Sequence, residues 1–181
     1  MIDLANFSET ETLKNGTAVL IRPVRANDKN RISEAFRNLE TESIYTRFFQ
    51  FKKVLTDEEL KAATEVDFEN VVALVVTIGE GENEIIIGGG RYVRSDATDQ
   101  MQSAEVAFTV EEDYHGQGIA SFLLRRLASI ALQKGVSRFE ADVLPENHAM
   151  LSVFSHSGFP MKTKLRDGAV HVTLSIIEED P

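Results

Sequence analysis

The segment from residue 104 to residue 143 most constrains the fold of this 181-residue chain. Glu105–Val110 alternates as a strand, Gly118–Lys134 carries apolar residues at helical spacing, and Arg138–Val143 alternates again. A strand, a helix and a second strand in this order predict a parallel pair joined by a right-handed crossover. We therefore expect an α/β fold built on a mixed sheet.

Further strands and helices are predicted on both sides of this unit. Four other runs rich in β-branched residues have the length of strands: Val19–Ile21, Val71–Ile78, Glu84–Arg94 and Val170–Ile176. Three stretches are predicted as helices: Asp28–Leu39, Thr56–Val66 and Pro145–Ser157. No repeat or linker divides the chain, so we expect one domain over residues 17–181 after an extension over residues 1–16.

Composition disfavours several classes of protein. A net charge of −10 argues against a nucleic-acid binder, which needs a concentrated basic surface, and favours cationic partners. The chain has no Cys, no long apolar run and no basic-then-apolar leader, so we expect a cytoplasmic protein without a membrane partner. The four His residues show no metal-ligand spacing, so no metal is expected. The sequence does not predict the oligomeric state, and a homodimer stays open.

The turn His115–Ala120 connects the strand to the helix and is a candidate phosphate site. Its two glycines permit unusual backbone angles, and free N–H groups at a helix N-terminus favour an anion. Residues 114–139 contain no acid and four basic residues: Arg125, Arg126, Lys134 and Arg138. The turn therefore predicts a phosphate-bearing ligand, although a purely structural turn fits the glycine pattern equally well.

Two other phosphate-binding folds compete with this interpretation. A P-loop needs a Gly-Lys-Ser/Thr ending, which the turn lacks. A dinucleotide-binding fold nearly fits the glycine spacing, and Glu140 or Asp142 could reach a ribose. Only 38 residues follow Val143 in the 181-residue chain (181 minus 143), too few to complete such a fold.

The residues around the turn resemble the Gcn5-related N-acetyltransferases, the GNAT family. The family's phosphate motif is Gln or Arg, two residues, Gly, one residue, then Gly or Ala. Gly118 and Ala120 match this motif, and His115 departs from it. The likeness continues with Asn147 at the start of the next helix and Gly158-Phe159 after its end.

The N-terminal part of the chain is similar to one branch of that family. Arg22–Arg25 and Ser43–Phe49 look like the branch that contains Pat-like protein lysine acetyltransferases. The resemblance implies a mixed sheet of six to seven strands, splayed between the fourth and fifth, with about four helices. Tyr45 and Arg47 lie between the two early helices, outside the cofactor-binding core, and we predict that they line the wall for the acceptor.

The resemblance implies acetyl-CoA as the cosubstrate. Strands 104–110 and 138–143 would part to admit the pantetheine arm, whose amides would pair with the edge formed by Phe108, Thr109 and Val110. The turn and the next helix would contact the rest of the molecule through these residues: His115, Gly116, Gln117, Gly118, Ile119, Ala120 and Asn147. Asn147 fits a plain helix N-cap equally well.

Glu105 matches the strand acid that Pat-like enzymes use as general base. A lysine amine is neutral in only about one molecule per few thousand at pH 7 and must lose a proton before it attacks. The plain alternative is that Glu105 is an outward-facing strand residue. At Phe154 many family members carry a Tyr that protonates the leaving thiolate, and Phe has no proton to give.

These features predict an acetyl-CoA-dependent N-acetyltransferase. The chain has no Cys for an acyl-enzyme, so we expect direct attack by a primary amine in a ternary complex. The expected acceptor is a protein lysine, and a small polyamine or amino sugar is the nearest alternative. A non-catalytic acyl-CoA-binding module is the third possibility, because Phe154 removes one catalytic group.

Overall fold

The computed structural model describes residues 3–39, 54–95 and 102–177. Its strands are β1 (Glu9–Thr12), β2 (Ala18–Pro23), β3 (Val71–Ile78), β4 (Ile85–Arg94), β5 (Ser103–Val110), β6 (Arg138–Val143), β7 (Met161–Arg166) and β8 (Ala169–Ser175). Its helices are α1 (Lys29–Arg37), α2 (Asp57–Thr64), α3 (Ile119–Gln133) and α4 (His148–Ser155).

The eight strands form one mixed sheet in the order β1-β2-β3-β4-β5-β6-β8-β7. All neighbouring pairs are antiparallel except β5 and β6, which are parallel and joined by α3. The predicted α/β class and the predicted crossover are therefore confirmed. The GNAT fold implied by the sequence accounts for this topology.

The predicted count of six to seven strands was too low. The two unpredicted strands are β1 and β7, which form the edges of the sheet. Their sequences, Glu-Thr-Glu-Thr and Met-Lys-Thr-Lys-Leu-Arg, are mostly polar and mostly solvent-facing. Edge strands are commonly charged because charge prevents edge-to-edge pairing, so the hydrophobic pattern that reveals inner strands is missing here.

The sheet opens between β5 and β6. Their parallel pairing covers only three residues of each strand, Ser103–Glu105 against Arg138–Glu140. Beyond Glu105 and up to Val110, β4 is the only described strand that pairs with β5. This gap is the predicted splay. The predicted strands start at β2, because β1 was not predicted, so β5 is the fourth predicted strand and β6 is the fifth.

Helices pack on both faces of the sheet. On one face α3 packs against β3, β4 and β5, and its buried Leu123 and Leu127 join the main core. Gly90 of β4 permits this approach, because an added Cβ would lie 3.2 Å from Leu127 Cδ1 of α3 and 2.8 Å from the Phe108 ring. On the other face α1 packs against β4 and α2, around Val75 and Ile86.

No helix in the described parts of the chain is both long and apolar enough to cross a membrane.

Candidate functional site

The splay between β5 and β6 forms a cleft of about 810 Å³. It is bounded by β5, the turn after it, the start of α3, β6 and α4. The predicted site residues that line it are Glu105, Phe108, Thr109, Val110, His115, Gly116, Gly118, Ile119, Ala120 and Asn147. Residues separated by more than 40 positions in sequence thus meet in one cleft because the parallel strands part there.

The turn before α3 has the geometry of an anion site. Gly116 and Gly118 have φ angles of +74° and +96°, in the left-handed region that side chains rarely adopt. Gly118 is the N-cap of α3, and its carbonyl accepts the first helical bond, from the Phe122 amide. The backbone amides of residues 116–121 donate to no other described group. Six N–H groups without a described acceptor therefore lie at the positive end of the helix dipole, and five of their residues, Gly116 and residues 118–121, line the cleft.

Two side chains of the turn contact other parts of the protein. His115 Nε2 lies 2.8 Å from the Val110 carbonyl oxygen, which ties the turn to the end of β5. Gln117 is not among the residues lining the cleft, and its Oε1 accepts a hydrogen bond of 2.9 Å from the Asn15 amide. The side-chain oxygen of Gln117 is therefore bound to the N-terminal segment.

Glu105 lies where the pairing of β5 with β6 ends. Strand alternation places it on the same face as Ala107 and Thr109, opposite the buried Ala104 and Val106. Its side chain is exposed and forms no hydrogen bond or ion pair with another described residue. The carboxylate is therefore free to accept a proton from a group entering the cleft.

The segment of α4 closes the cleft, and two of its lining residues are the polar Asn147 and the apolar Phe154. Asn147 is its N-cap and accepts a hydrogen bond of 3.2 Å from the Met150 amide. Asn147 also lines the cleft, so its structural role and a ligand contact are compatible. Phe154 is 1% exposed and packs with its ring centroid 6.1 Å from that of Phe108. This pair forms an apolar wall and offers no proton.

The basic residues of the stretch 114–139 do not line the cleft. Arg126 binds Glu9 and Glu11 of β1, and Arg125 lies over the Phe122 ring at 5.5 Å. Among the described Lys and Arg residues, only Lys14 lines the cleft. Sequence reasoning missed Lys14 because it lies in the stretch that we assigned to an extension.

Comparison with known proteins decides the family. Residues 18–160 match the family model described as "Acetyltransferase (GNAT) domain", which is most of the chain. The chain belongs to the GNAT acetyltransferase family. Acetyltransferases of the GNAT family use acetyl-CoA.

Several relatives resemble this GNAT domain over most of its length. Acetyltransferase Pat from Mycolicibacterium smegmatis is 36% identical over 146 residues, which cover 81% of this chain and 42% of Pat. The chain thus spans less than half the length of that relative. The GNAT domain of S. lividans PAT is 33% identical with a TM-score of 0.84, covering 93% of this chain and 96% of that domain.

Two further relatives bear on ligands. Thialysine N-epsilon-acetyltransferase from Sus scrofa is 29% identical over 147 residues, covering 78% of this chain and 84% of that protein. A Salmonella typhimurium protein solved with its cofactor acetyl-CoA shares the fold, with a TM-score of 0.68 at 19% identity, covering 91% of this chain and 98% of that one.

A second cavity of about 380 Å³ lies beneath α1 and α2, on the face of the GNAT sheet opposite to α3. Its lining is mostly aliphatic, with Glu59, Arg91 and Glu111 as charged residues. Burial, then the charges of Asp113 and Glu112, raise the pKa of the Glu111 carboxyl. Ala107 and Thr109 line both cavities, so the two cavities adjoin at β5.

The remaining predictions for the site concern the acceptor wall and metals. Tyr45 and Arg47 lie outside the described residues, so their placement stays a prediction. Within residues 3–39, 54–95 and 102–177, no three His, Asp or Glu side chains are grouped as a metal site.

Proposed function

We propose that this chain transfers the acetyl group of acetyl-CoA to a primary amine, with a protein lysine as the acceptor. The observation that carries the proposal is the single cleft that has free backbone amides at one end and an unpaired carboxylate at the other. An anionic cofactor fits the first feature, and an amine that must lose a proton fits the second.

The cleft residues have separate roles in donor binding. The amides of residues 116–121 would hold the pyrophosphate at the N-terminus of α3. From Val106 to Val110, β5 has no partner strand on its β6 side, so its backbone edge can pair with the amides of pantetheine. A free N–H on that edge can also polarise the thioester carbonyl.

Glu105 would act as the general base. It takes a proton from the acceptor ammonium, and the neutral amine then attacks the carbonyl carbon of the thioester. A C–N bond forms, the C–S bond breaks, and the electron pair leaves with the CoA sulfur as a thiolate; the nitrogen then loses its second proton to that thiolate or to solvent, which gives the neutral amide and CoA. A thiol with a pKa of about 8.5 is a tolerable leaving group at neutral pH, which is consistent with the apolar Phe154.

The second cavity is the proposed acceptor site. It opens beneath α1 and α2, and its aliphatic walls suit the methylene chain of a lysine. Because Ala107 and Thr109 line both cavities, an amine on this side can approach the donor beside β5. The likeness to Pat supports a protein lysine.

A small amine is the second candidate acceptor. The relative named for thialysine supports it, and a cavity of about 380 Å³ is large enough for a free amino acid. The kcat/KM values for a lysine-rich peptide, free thialysine and a polyamine would decide between these acceptors. We expect the peptide to have the highest value.

The proposed function is tested by the pH dependence of Glu105→Gln. This variant keeps the size of the side chain but cannot accept a proton, so we expect kcat to fall about 10²–10⁴-fold near neutral pH. The loss should shrink toward about pH 9.5, because more acceptor arrives deprotonated.

The matched control is Glu140→Gln. Glu140 is the register partner of Glu105 on β6, contacts His171 and does not line the cleft. We expect its rate to match that of the wild type. Equal rates for wild type and Glu105→Gln at every pH, with acetyl-CoA still bound, would remove Glu105 from the mechanism.

A further inference from the structure

The charge of the cleft does not match the proposed donor. A CoA ester carries a pyrophosphate and a 3′-phosphate, whereas the cleft contains the acids Glu105 and Asp142 and the whole chain has a net charge of −10. Backbone amides supply dipoles but no net charge. Lys14 is the single Lys or Arg, among those that the structure describes, on the wall of this cleft.

Lys14 lies in a tight turn between β1 and β2. The Leu13 amide donates to the Thr17 carbonyl and the Gly16 amide donates to the Leu13 carbonyl, both at 2.9 Å. Gly16 has a φ of +91°, which permits the reversal of the chain. Leu13 is 2% exposed and anchors the turn in the main core, while Lys14 itself is exposed.

The same turn is fixed to the phosphate turn. The Asn15 amide, next to Lys14, donates to Gln117 Oε1 at 2.9 Å. Arg126 of α3 adds a second attachment by binding Glu9 and Glu11 of β1. These contacts hold the N-terminal hairpin against the start of α3, so the position of Lys14 relative to the free amides is set by the fold.

The ammonium group of Lys14 is available to a ligand. It forms no hydrogen bond or ion pair with any residue that the structure describes. Glu9 and Glu11, the acids nearest to it along the chain, are both occupied by Arg126. An unpaired cation beside six free amides is the arrangement that a phosphate group favours.

We propose that Lys14 binds a phosphate group of the CoA moiety and is a donor-binding residue supplied by the N-terminal hairpin. This inference rests on the proposed use of acetyl-CoA. The phosphate partner is either the pyrophosphate or the 3′-phosphate, and both have the same chemistry. Lys14 would thus raise donor affinity without touching the reacting atoms.

The test is calorimetric binding of acetyl-CoA to the wild type, Lys14→Gln and Lys14→Arg. We expect Lys14→Gln to weaken binding about 10-fold, the range for one charged hydrogen bond at a partly exposed site, and Lys14→Arg to restore most of it. The dissociation constant of Lys14→Gln should also depend less steeply on salt concentration. Lys61→Gln, which removes an exposed lysine on α2 outside the cleft, should bind like the wild type.

Binding of 3′-dephospho-acetyl-CoA identifies the partner. If Lys14 contacts the 3′-phosphate, wild type and Lys14→Gln should bind this analogue equally; if it contacts the pyrophosphate, the 10-fold difference should persist. Undiminished acetyl-CoA affinity in a folded Lys14→Gln overturns the inference and leaves the proposed function intact. Failure of the wild type to bind acetyl-CoA overturns both.

Discussion

At Gly118 the backbone conformation and the proposed anion site coincide. The residue has a φ of +96°, which Asn and Asp tolerate better than other side chains. An added Cβ would make only ordinary contact with the Phe122 ring, at 3.5 Å. Asp and Asn at this position therefore share nearly the same strain and differ mainly in charge.

That difference gives a prediction for donor binding. We expect Gly118→Asp to weaken acetyl-CoA binding about 10-fold or more beyond Gly118→Asn, because its carboxylate occupies the place of the phosphate. Both variants should unfold at similar temperatures. Calorimetric titration and thermal unfolding check the two parts. Similar affinities in the two variants would mean that the phosphate does not lie at this turn.

Single residues differed in how well the sequence predicted them. The strand–turn–helix order revealed the phosphate turn, because a glycine pair before an amphipathic helix is a local signal. Lys14 was missed although Asn15-Gly16 beside it is a strong hairpin signal. The side-chain contact of Gln117 with the Asn15 amide depends on that hairpin, so no local pattern could predict it.

The attachment of α1 depends on a buried ion-pair network. Arg22 of β2 binds Asp28 through two hydrogen bonds, of 2.9 and 2.8 Å, and Glu84 at 2.6 Å. Arg22 and Asp28 are 1% and 0% exposed. Asp28 also accepts the Arg25 amide at 2.7 Å, directly before α1. This network fixes the start of α1, the helix that covers the second cavity.

We predict that Asp28→Asn lowers the free energy of unfolding by about 3 kcal/mol, because it leaves a buried guanidinium without its main counter-charge. Glu65→Gln is the control, since Glu65 pairs with Lys29 at the surface and should cost at most about 1 kcal/mol. Urea unfolding of both variants measures the costs. Equal costs would show that the buried pair adds no stability beyond a surface pair.

The helix α2, which covers the second cavity, gives a prediction about acceptor binding. Ala63 of α2 lines that cavity, and Ala63→Leu would fill part of it. We expect the acceptor KM to rise about 10-fold, while the affinity for acetyl-CoA stays unchanged. Ala5→Leu, at an exposed alanine outside both cavities, should change neither. A change in acetyl-CoA affinity alone would exclude this cavity as the acceptor site.

Inner elements were predictable and edge elements were not. The six predicted strands and the helix before Arg138 carry hydrophobic periodicity, because each buries one side or both. The edge strands β1 and β7 bury little, so they lack that pattern. The helix was predicted over Pro145–Ser157, but α4 begins only after Asn147. Asn147 caps this helix, because its Oδ1 accepts a hydrogen bond from the Met150 amide.

Across the whole molecule, acidic groups with lowered pKa values make the stability of the fold depend on pH. Burial would raise the pKa of Asp28, but hydrogen bonds from Arg22 and the Arg25 amide, with the charges of Arg22 and Arg31, outweigh burial and lower it. The pKa of Glu84 is lowered in the same way by Arg22. Asp67 has its pKa lowered by backbone amides, of which Val71 gives the largest effect.

A carboxyl with a lowered pKa in the folded state stabilises the fold only while it is ionised. The contribution of Asp28 is therefore complete above its unfolded pKa, about 4, and is lost as the pH falls through its folded value. Below that value a protonated Asp resembles Asn in shape and charge. The stability difference between wild type and Asp28→Asn should accordingly shrink from about 3 kcal/mol near neutral pH toward zero in acid.

Urea unfolding of wild type, Asp28→Asn and Glu65→Gln from about pH 7 down to about pH 3 measures this difference directly. Comparing variants cancels the general effect of neutralising the other acids of a chain with a net charge of −10. The difference between wild type and Glu65→Gln should stay small throughout, because its pair with Lys29 is exposed. A difference for Asp28→Asn that stays constant down to pH 3 would mean that folding does not lower the pKa of Asp28, so that the network does not stabilise the fold through ionisation.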